Sequence, residues 1–254
     1  MPGLLVLNGG DEFRPGNEPQ DQELVRAAAR GRSYIVPTAA ARQRPDLAVA
    51  TASRWFSGLG LEVEELPVYN RRDAGSKELA ERASEAGLLY LTGGDPGLVA
   101  RVLAGSLVWR AMLDAWEAGA ALAGSSAGAM ALCDRTLVMA RWPDHSERRA
   151  VAALGLVPAT VLIPHYERFG PRWQFGDLPA MTLLGVDERT ATVWRDSDWR
   201  AMGAGGITVA SGSEELRFEA GEICRGIPPP DPAGARARAR AQAASGKGGT
   251  RATQ

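Results

Sequence analysis

The segment Gly124-Ser125-Ser126-Ala127-Gly128-Ala129 directly follows an apolar run and opens an alanine-rich stretch. A nucleophilic serine is presented on a sharp strand-to-helix turn, and the turn tolerates only small residues on either side. Ser126 has a glycine two positions before it and another two positions after; Ser125 does not. Ser126 is therefore the candidate nucleophile and Ser125 the residue just before the turn. A helix starting there directs free backbone N–H groups at developing negative charge, as acyl transfer requires. The same residues also suit a plainer role, a small-residue turn that packs a helix closely on a sheet.

A serine hydroxyl needs a base to take its proton. The chain has two histidines, His145 and His165. His165 stands in Ile163-Pro164-His165-Tyr166 at the end of an apolar run, whereas His145 lies in the polar stretch 142–147. In a parallel sheet, ligands bind outside the carboxyl ends of the strands, which favours His165. Leu91-Thr92-Gly93-Gly94-Asp95 ends another run, so the N–H groups of Gly94 and Ala127 are the expected oxyanion hole. Asp95 precedes Pro96 and reads as a helix N-cap, or as a substrate contact. No Gly-Lys-Ser/Thr follows the glycines, so this is not a P-loop.

These residues must be held by elements. Short apolar runs at 4–7, 33–36, 88–91 and 120–123, and an alternating strand at 61–66, are interleaved with helical stretches at 20–30, 45–58, 77–86, 96–104 and 107–118, and another helix opens near 126. That alternation predicts an α/β fold, a doubly wound and mostly parallel sheet with helices on both faces. After about residue 137 the pattern changes. Short strands at 161–163, 183–186, 191–194 and 199–202, and a hairpin of 207–210 with 215–218, are expected to extend or edge the sheet in antiparallel fashion. The stretch 171–181 reads as loop and short helix.

The 254 residues suit one domain over 1–225. Beyond Gly226 a Pro-rich turn, alternating Arg and Ala, and a Gly/Ser/Lys run cannot bury a core and are expected to be disordered. Net charge is −1, which gives no sign of a nucleic-acid partner. No apolar run approaches membrane-spanning length, the opening residues lack a basic n-region, and the widely spaced Cys133 and Cys224 read as reduced thiols. The expectation is a cytoplasmic protein without metal or other cofactor, with no membrane partner, and compatible with homo-oligomer formation.

Gly93-Gly94, the 124–129 turn and Pro164-His165-Tyr166 together resemble peptidase family S51, which includes dipeptidase E and cyanophycinase on a class I glutamine-amidotransferase-like fold. The turn is similar to the family's Gly-Thr-Ser-Ala-Gly-Ala, with Ser125 in place of Thr. The resemblance runs over roughly residues 3–225. It implies a serine peptidase acting on a small peptide or amide. In the dipeptidase the orienting acid falls between serine and histidine, where Asp144 stands here; Glu188, after a predicted strand, and Glu167, two residues past His165, are the alternatives. Two departures bear on substrate. Asp95 replaces the Asn or Gln common after the glycines. Ile163-Pro164 replaces the Asp-Gln of cyanophycinase, with only Arg168 and Arg172 close behind the histidine, which argues against cyanophycin. Asp95 and Arg168 are the candidate substrate contacts.

Other readings compete. A general α/β-hydrolase places its histidine later than any present here, and a glutamine amidotransferase carries cysteine where Ser126 stands. A non-peptidase amidase, or a silent ligand-binding protein of the same fold, shares the remaining features.

Overall fold

The computed structural model describes residues 1–28, 31–141, 146–176, 178 and 180–247, with side chains up to 241. Its strands are β1 (Leu5–Asn8), β2 (Arg32–Val36), β3 (Glu64–Glu65), β4 (Ala86–Leu91), β5 (Ala121–Ser125), β6 (Cys133–Met139), β7 (Arg148–Ala152), β8 (Val157–Pro164), β9 (Thr182–Val186), β10 (Thr190–Arg195), β11 (Asp198–Gly203), β12 (Ile207–Ser211) and β13 (Glu214–Phe218). The α-helices are α1 (Glu18–Ala27), α2 (Pro45–Gly58), α3 (Arg71–Ala74), α4 (Lys77–Ser84), α5 (Pro96–Leu103), α6 (Leu107–Glu117), α7 (Ala127–Leu132), α8 (Tyr166–Phe169) and α9 (Pro232–Lys247).

The first sheet has the order β11-β10-β1-β5-β4-β2-β3. Strands β1 to β5 are parallel, and β10 and β11 add an antiparallel edge. Its central strands are buried on both faces, which is why they read as continuous apolar runs. Alternate residues serve two cores. Leu5, Leu7, Leu89, Leu91 and Leu122 pack with α4 to α7. Val6, Ile35, Leu88, Tyr90 and Ala123 pack with Leu24 of α1 and Ala52 and Phe56 of α2.

Where the sequence predicts one sheet with an antiparallel edge, a second sheet is present, ordered β13-β12-β9-β8-β6-β7. Its β6, β8 and β9 run parallel, while β7, β12 and β13 pair antiparallel. Only β10 and β11 edge the first sheet. Strands β6 and β7 were not expected; β6 leaves α7 without a loop, and the residues of β7, Arg-Arg-Ala-Val-Ala, are at most partly covered. The alternating stretch 61–66 pairs over Glu64–Glu65 alone.

The tail also departs from expectation. Alanines give α9 high intrinsic helix propensity, and the Ala/Arg alternation sorts into faces. Ala235 and Ala239, one turn apart, are buried. Arg236 pairs with Asp114 and Glu117 of α6, and Arg238 with Asp134. Asp231 accepts the Gly234 N–H at 2.8 Å near the helix start. Cys133 and Cys224 are both free thiols and buried. Among the described residues, no helix is long and apolar enough to cross a membrane.

Candidate active site

Strand register brings the candidate residues to one edge. Asn8, the last residue of β1, pairs with Ser125, the last of β5, and Leu91 at the end of β4 pairs with Gly124. The loops that follow these three strands therefore leave at one level. In the second sheet Pro164 pairs with Val186, so the chain leaves β8 into His165 and β9 into Asp187-Glu188 side by side.

Ser126 occupies the turn between β5 and α7 at φ 47°, ψ −109°, a conformation that non-glycine residues rarely adopt. Both flanking glycines are sterically required. A Cβ on Gly124 would lie 2.6 Å from the Ala129 nitrogen, and one on Gly128 would lie 2.3 Å from the Leu91 carbonyl oxygen. Ser125 is fully buried within β5, whereas Ser126 is partly exposed. The Ser126 N–H donates to the Asn8 carbonyl at 3.0 Å, and the His165 N–H donates to the next carbonyl, that of Gly9, at 2.8 Å. The serine and the histidine, from different sheets, are thus tied to the same strand end.

His165 itself lies in the left-handed region, at φ 47° and ψ 46°. Its imidazole rests on Gly10: a Cβ there would come within 2.3 Å of both Cε1 and Nε2, and Gly10 has φ 117°. On the other side, His165 Nδ1 is 2.8 Å from Glu188 Oε1. The Phe169 ring meets the imidazole edge-on, centroids 5.4 Å apart. Among the described residues no hydrogen bond joins Ser126 Oγ to the imidazole. Catalytic contacts of this kind commonly tighten when substrate binds.

The three candidate acids separate. Glu188 meets the histidine. Burial alone pushes its carboxyl up, but hydrogen bonds from Arg168 and His165 and their charges outweigh that and hold it below the ordinary carboxylate range. Glu167 accepts the Glu188 N–H through its two oxygens, at 3.4 and 3.2 Å, and so fixes the Glu188 backbone; burial raises its own carboxyl. Asp144, and His145 beside it, lie outside the described residues.

Arg168 Nη1 donates to Glu188 Oε1 at 2.8 Å, which places its charge on the acid. Asp95 caps α5, its Oδ1 accepting the Leu98 N–H at 3.0 Å, and its Oδ2 is 3.4 Å from Arg101. Gly94 has φ 140°, and a Cβ on it would lie 2.3 Å from the Ala39 carbonyl oxygen, so the glycine loop is pressed against the turn at Thr38–Ala40. Gly93 is the glycine that faces the serine: its Cβ position is 3.7 Å from Ser126 Cβ.

Two residues of this site lie outside the motifs read above. Gly10 seats the imidazole, and Glu12 accepts the Gly93 N–H at 3.2 Å. Asn8-Gly9-Gly10 after β1 carries the same glycine-after-strand signal as Thr92-Gly93-Gly94 after β4. Nothing comparable marks Glu12.

Comparison with known proteins gives the family and the fold. The model of peptidase family S51 matches residues 4–201. A cyanophycinase from Synechococcus elongatus is 26% identical over 220 residues, covering 82% of this chain and 67% of that protein. One from Thermosynechococcus vestitus matches to the same extent. The crystal structure of a peptidase from an acI-B1 Actinobacterium superposes with a TM-score of 0.78 at 30% identity, over 88% of this chain and 97% of that one. A protein described as a Peptidase E, from Listeria monocytogenes EGD-e, shares the fold with a TM-score of 0.57 at 18% identity, over 81% of this chain and all of that one.

Proposed function

The chain belongs to peptidase family S51, and on that premise we propose that it is a serine peptidase hydrolysing a small peptide or isopeptide amide bond through an acyl-enzyme on Ser126. The observation that carries this is the 2.8 Å contact of His165 Nδ1 with Glu188 Oε1, made beside a serine held in a strained strand-to-helix turn.

In this reading His165 Nε2 takes the proton of Ser126 Oγ as the oxygen attacks the substrate carbonyl. Glu188 keeps the proton on Nδ1, which leaves Nε2 as the acceptor, and it stabilises the imidazolium that forms. Arg168 and the Glu167–Glu188 backbone contact hold that carboxylate in place. The tetrahedral oxyanion is received by the N–H groups of Gly94 and Ala127. His165 then returns the proton to the leaving amine. Water attacks the acyl-enzyme with His165 again as base and releases the acid. Glu188 thus takes the orienting role for which Asp144 stood first in the sequence reading.

The test is a fluorophosphonate probe followed by a dipeptide library that includes isoaspartyl and N-terminal Asp members. Labelling that disappears in Ser126→Ala, together with hydrolysis of at least one peptide, is the expected result. An unlabelled wild-type protein would point instead to a silent ligand-binding site. Labelling with hydrolysis confined to non-peptide amides would make it an amidase.

A further inference from the structure

The mechanism above leaves one carboxylate beside the nucleophile without a task. Glu12 Oε1 accepts the Gly93 N–H at 3.2 Å. A Cβ built on Gly93 lies 2.8 Å from Glu12 Oε1 and 3.7 Å from Ser126 Cβ. The carboxylate oxygen is therefore at most about 6.5 Å from Ser126 Cβ, the sum of those two spans.

The loop that carries Glu12 is held in an unusual shape. Gly10, Asp11 and Phe13 all have positive φ, at 117°, 54° and 59°. Strain of this kind persists only where the surroundings impose it. Asp11 is fixed by Arg14 at 3.3 Å and Arg189 at 3.1 Å. Asn17 Nδ2 donates to the Asp11 and Arg14 carbonyls at 2.9 and 3.0 Å. Phe13 is buried against Phe56 and Tyr90, with ring centroids 5.9 and 5.1 Å away. Glu12 sits between these two anchors, aimed at the glycine that faces Ser126.

Its charge is unmatched within the site. The neighbouring cations are already used, Arg168 on Glu188 and Arg189 on Asp11. Among the described residues no cation forms an ion pair with Glu12. An ionised carboxylate this close to Ser126 repels the oxyanion that acyl transfer creates. A substrate that brings its own cation removes that conflict and fills the vacant pairing at once.

We propose that Glu12 binds the free α-ammonium group of the substrate residue whose carbonyl Ser126 attacks, and so selects peptides cleaved next to a free N-terminus. This rests on the serine-peptidase reading of the site. The reach fits. An α-nitrogen lies about 2.5 Å from its own carbonyl carbon, given ordinary backbone bond lengths. That carbon stands about 3 Å from the attacking oxygen in a near-attack pose. A lysine or arginine side chain carries its charge several ångströms further from the carbonyl and overshoots Glu12.

The experiment compares aminoacyl p-nitroanilides of Ala, Asp, Glu, Leu and Arg with their N-acetyl counterparts, on the full chain and on Glu12→Gln and Glu12→Asp. Glutamine keeps an oxygen for the Gly93 N–H and removes only the charge. The wild-type protein should prefer the free amine. In Glu12→Gln the free-to-acetylated ratio of kcat/KM should fall about 10- to 100-fold, the range for losing a hydrogen bond to a charged group. The loss should appear mainly in KM, with partial recovery in Glu12→Asp. Fluorophosphonate labelling of Ser126 in Glu12→Gln should be as fast as in wild type or faster, which a folding defect would not allow. A ratio unchanged by Glu12→Gln, a wild-type protein indifferent to acetylation, or labelling of Ser126 without hydrolysis of any free-amine member overturns the role of Glu12 and leaves the serine reading standing. Absence of both labelling and hydrolysis removes the serine reading and this one with it.

Discussion

Ser126 and His165 donate their backbone N–H groups to adjacent carbonyls, those of Asn8 and Gly9, at 3.0 and 2.8 Å. Their relative position is thus set by the end of β1, whose own side chains take no part in the proposed chemistry. Gly10 completes this seat. In Gly10→Ala the added methyl would meet the imidazole at 2.3 Å, on a backbone with φ 117°. The ring must move, and a shift of about 1 Å in a catalytic group can cost on the order of 100-fold in rate. Steady-state kinetics should show kcat/KM falling by about that much. Fluorophosphonate labelling should slow in parallel, while circular dichroism stays that of the folded protein.

Removing the proposed orienting charge should cost more. Glu188→Gln is expected to lower kcat by about 10⁴-fold, as for loss of the acid that sets a catalytic histidine's tautomer. Glu167→Gln keeps an oxygen for the Glu188 N–H and should be far milder. Ser126→Ala and His165→Ala should each abolish most activity, and the double variant should lose little beyond either single one. Full loss in Asp144→Asn with retained activity in Glu188→Gln would hand the role to Asp144.

Behind the site, Asp21 predicts a pH dependence of stability. It is buried, with Trp55 Nε1 donating to its Oδ2 at 2.8 Å. Burial, outweighing that hydrogen bond, pushes its pKa from 3.8 up to about 7. The folded state thus holds a proton that the unfolded chain has already released. Stability from this group is fully present below the unfolded value and is lost as pH rises toward about 7. Urea denaturation should show the wild-type protein less stable at pH 8 than at pH 5 by on the order of 2 kcal/mol from this group. Asp21→Asn should lack that difference. An equal difference in both proteins would remove Asp21 as its source.

Deleting residues 232–254 tests whether α9 belongs to the domain. The deletion uncovers the surface that Ala235 and Ala239 bury and frees Asp114, Glu117 and Asp134 from their arginines. Loss of about two methyl burials and a few exposed ion pairs should lower stability by roughly 1–3 kcal/mol. A melting curve unchanged by the deletion would show the helix to be a passenger.

The serine turn was legible because its reason is local. Gly124 and Gly128 are required by contacts with the turn itself and with the adjoining strand end, and the six-residue pattern records that demand. His165 was legible as a polar residue ending an apolar run. Which carboxylate meets the imidazole was not, because the register of β8 against β9, a tertiary fact, puts Glu188 there and leaves Glu167 on the Glu188 backbone, while Asp144 lies outside the described residues. Gly10 answers to an imidazole more than 150 positions away. The parallel sheet followed from its apolar runs. The second sheet was missed as a separate layer because β6 follows α7 with no turn residue between them and β7 is only partly covered, so neither stands out as a separate apolar run. The tail misled in the opposite direction: a composition too poor for a core can still make a helix that rests on one.

The division of the site between two sheets has a consequence for synthesis. The strands that place Ser126 are complete by residue 125, while the imidazole and its acid arrive at 165 and 188. A chain leaving the ribosome folds N-terminal portions first. On the proposed mechanism it therefore displays its serine with no base beside it for some forty residues of elongation, and with no orienting acid for some sixty, inert toward the peptides around it. On that mechanism, hydrolytic competence comes only when the later strands dock on the end of the first one.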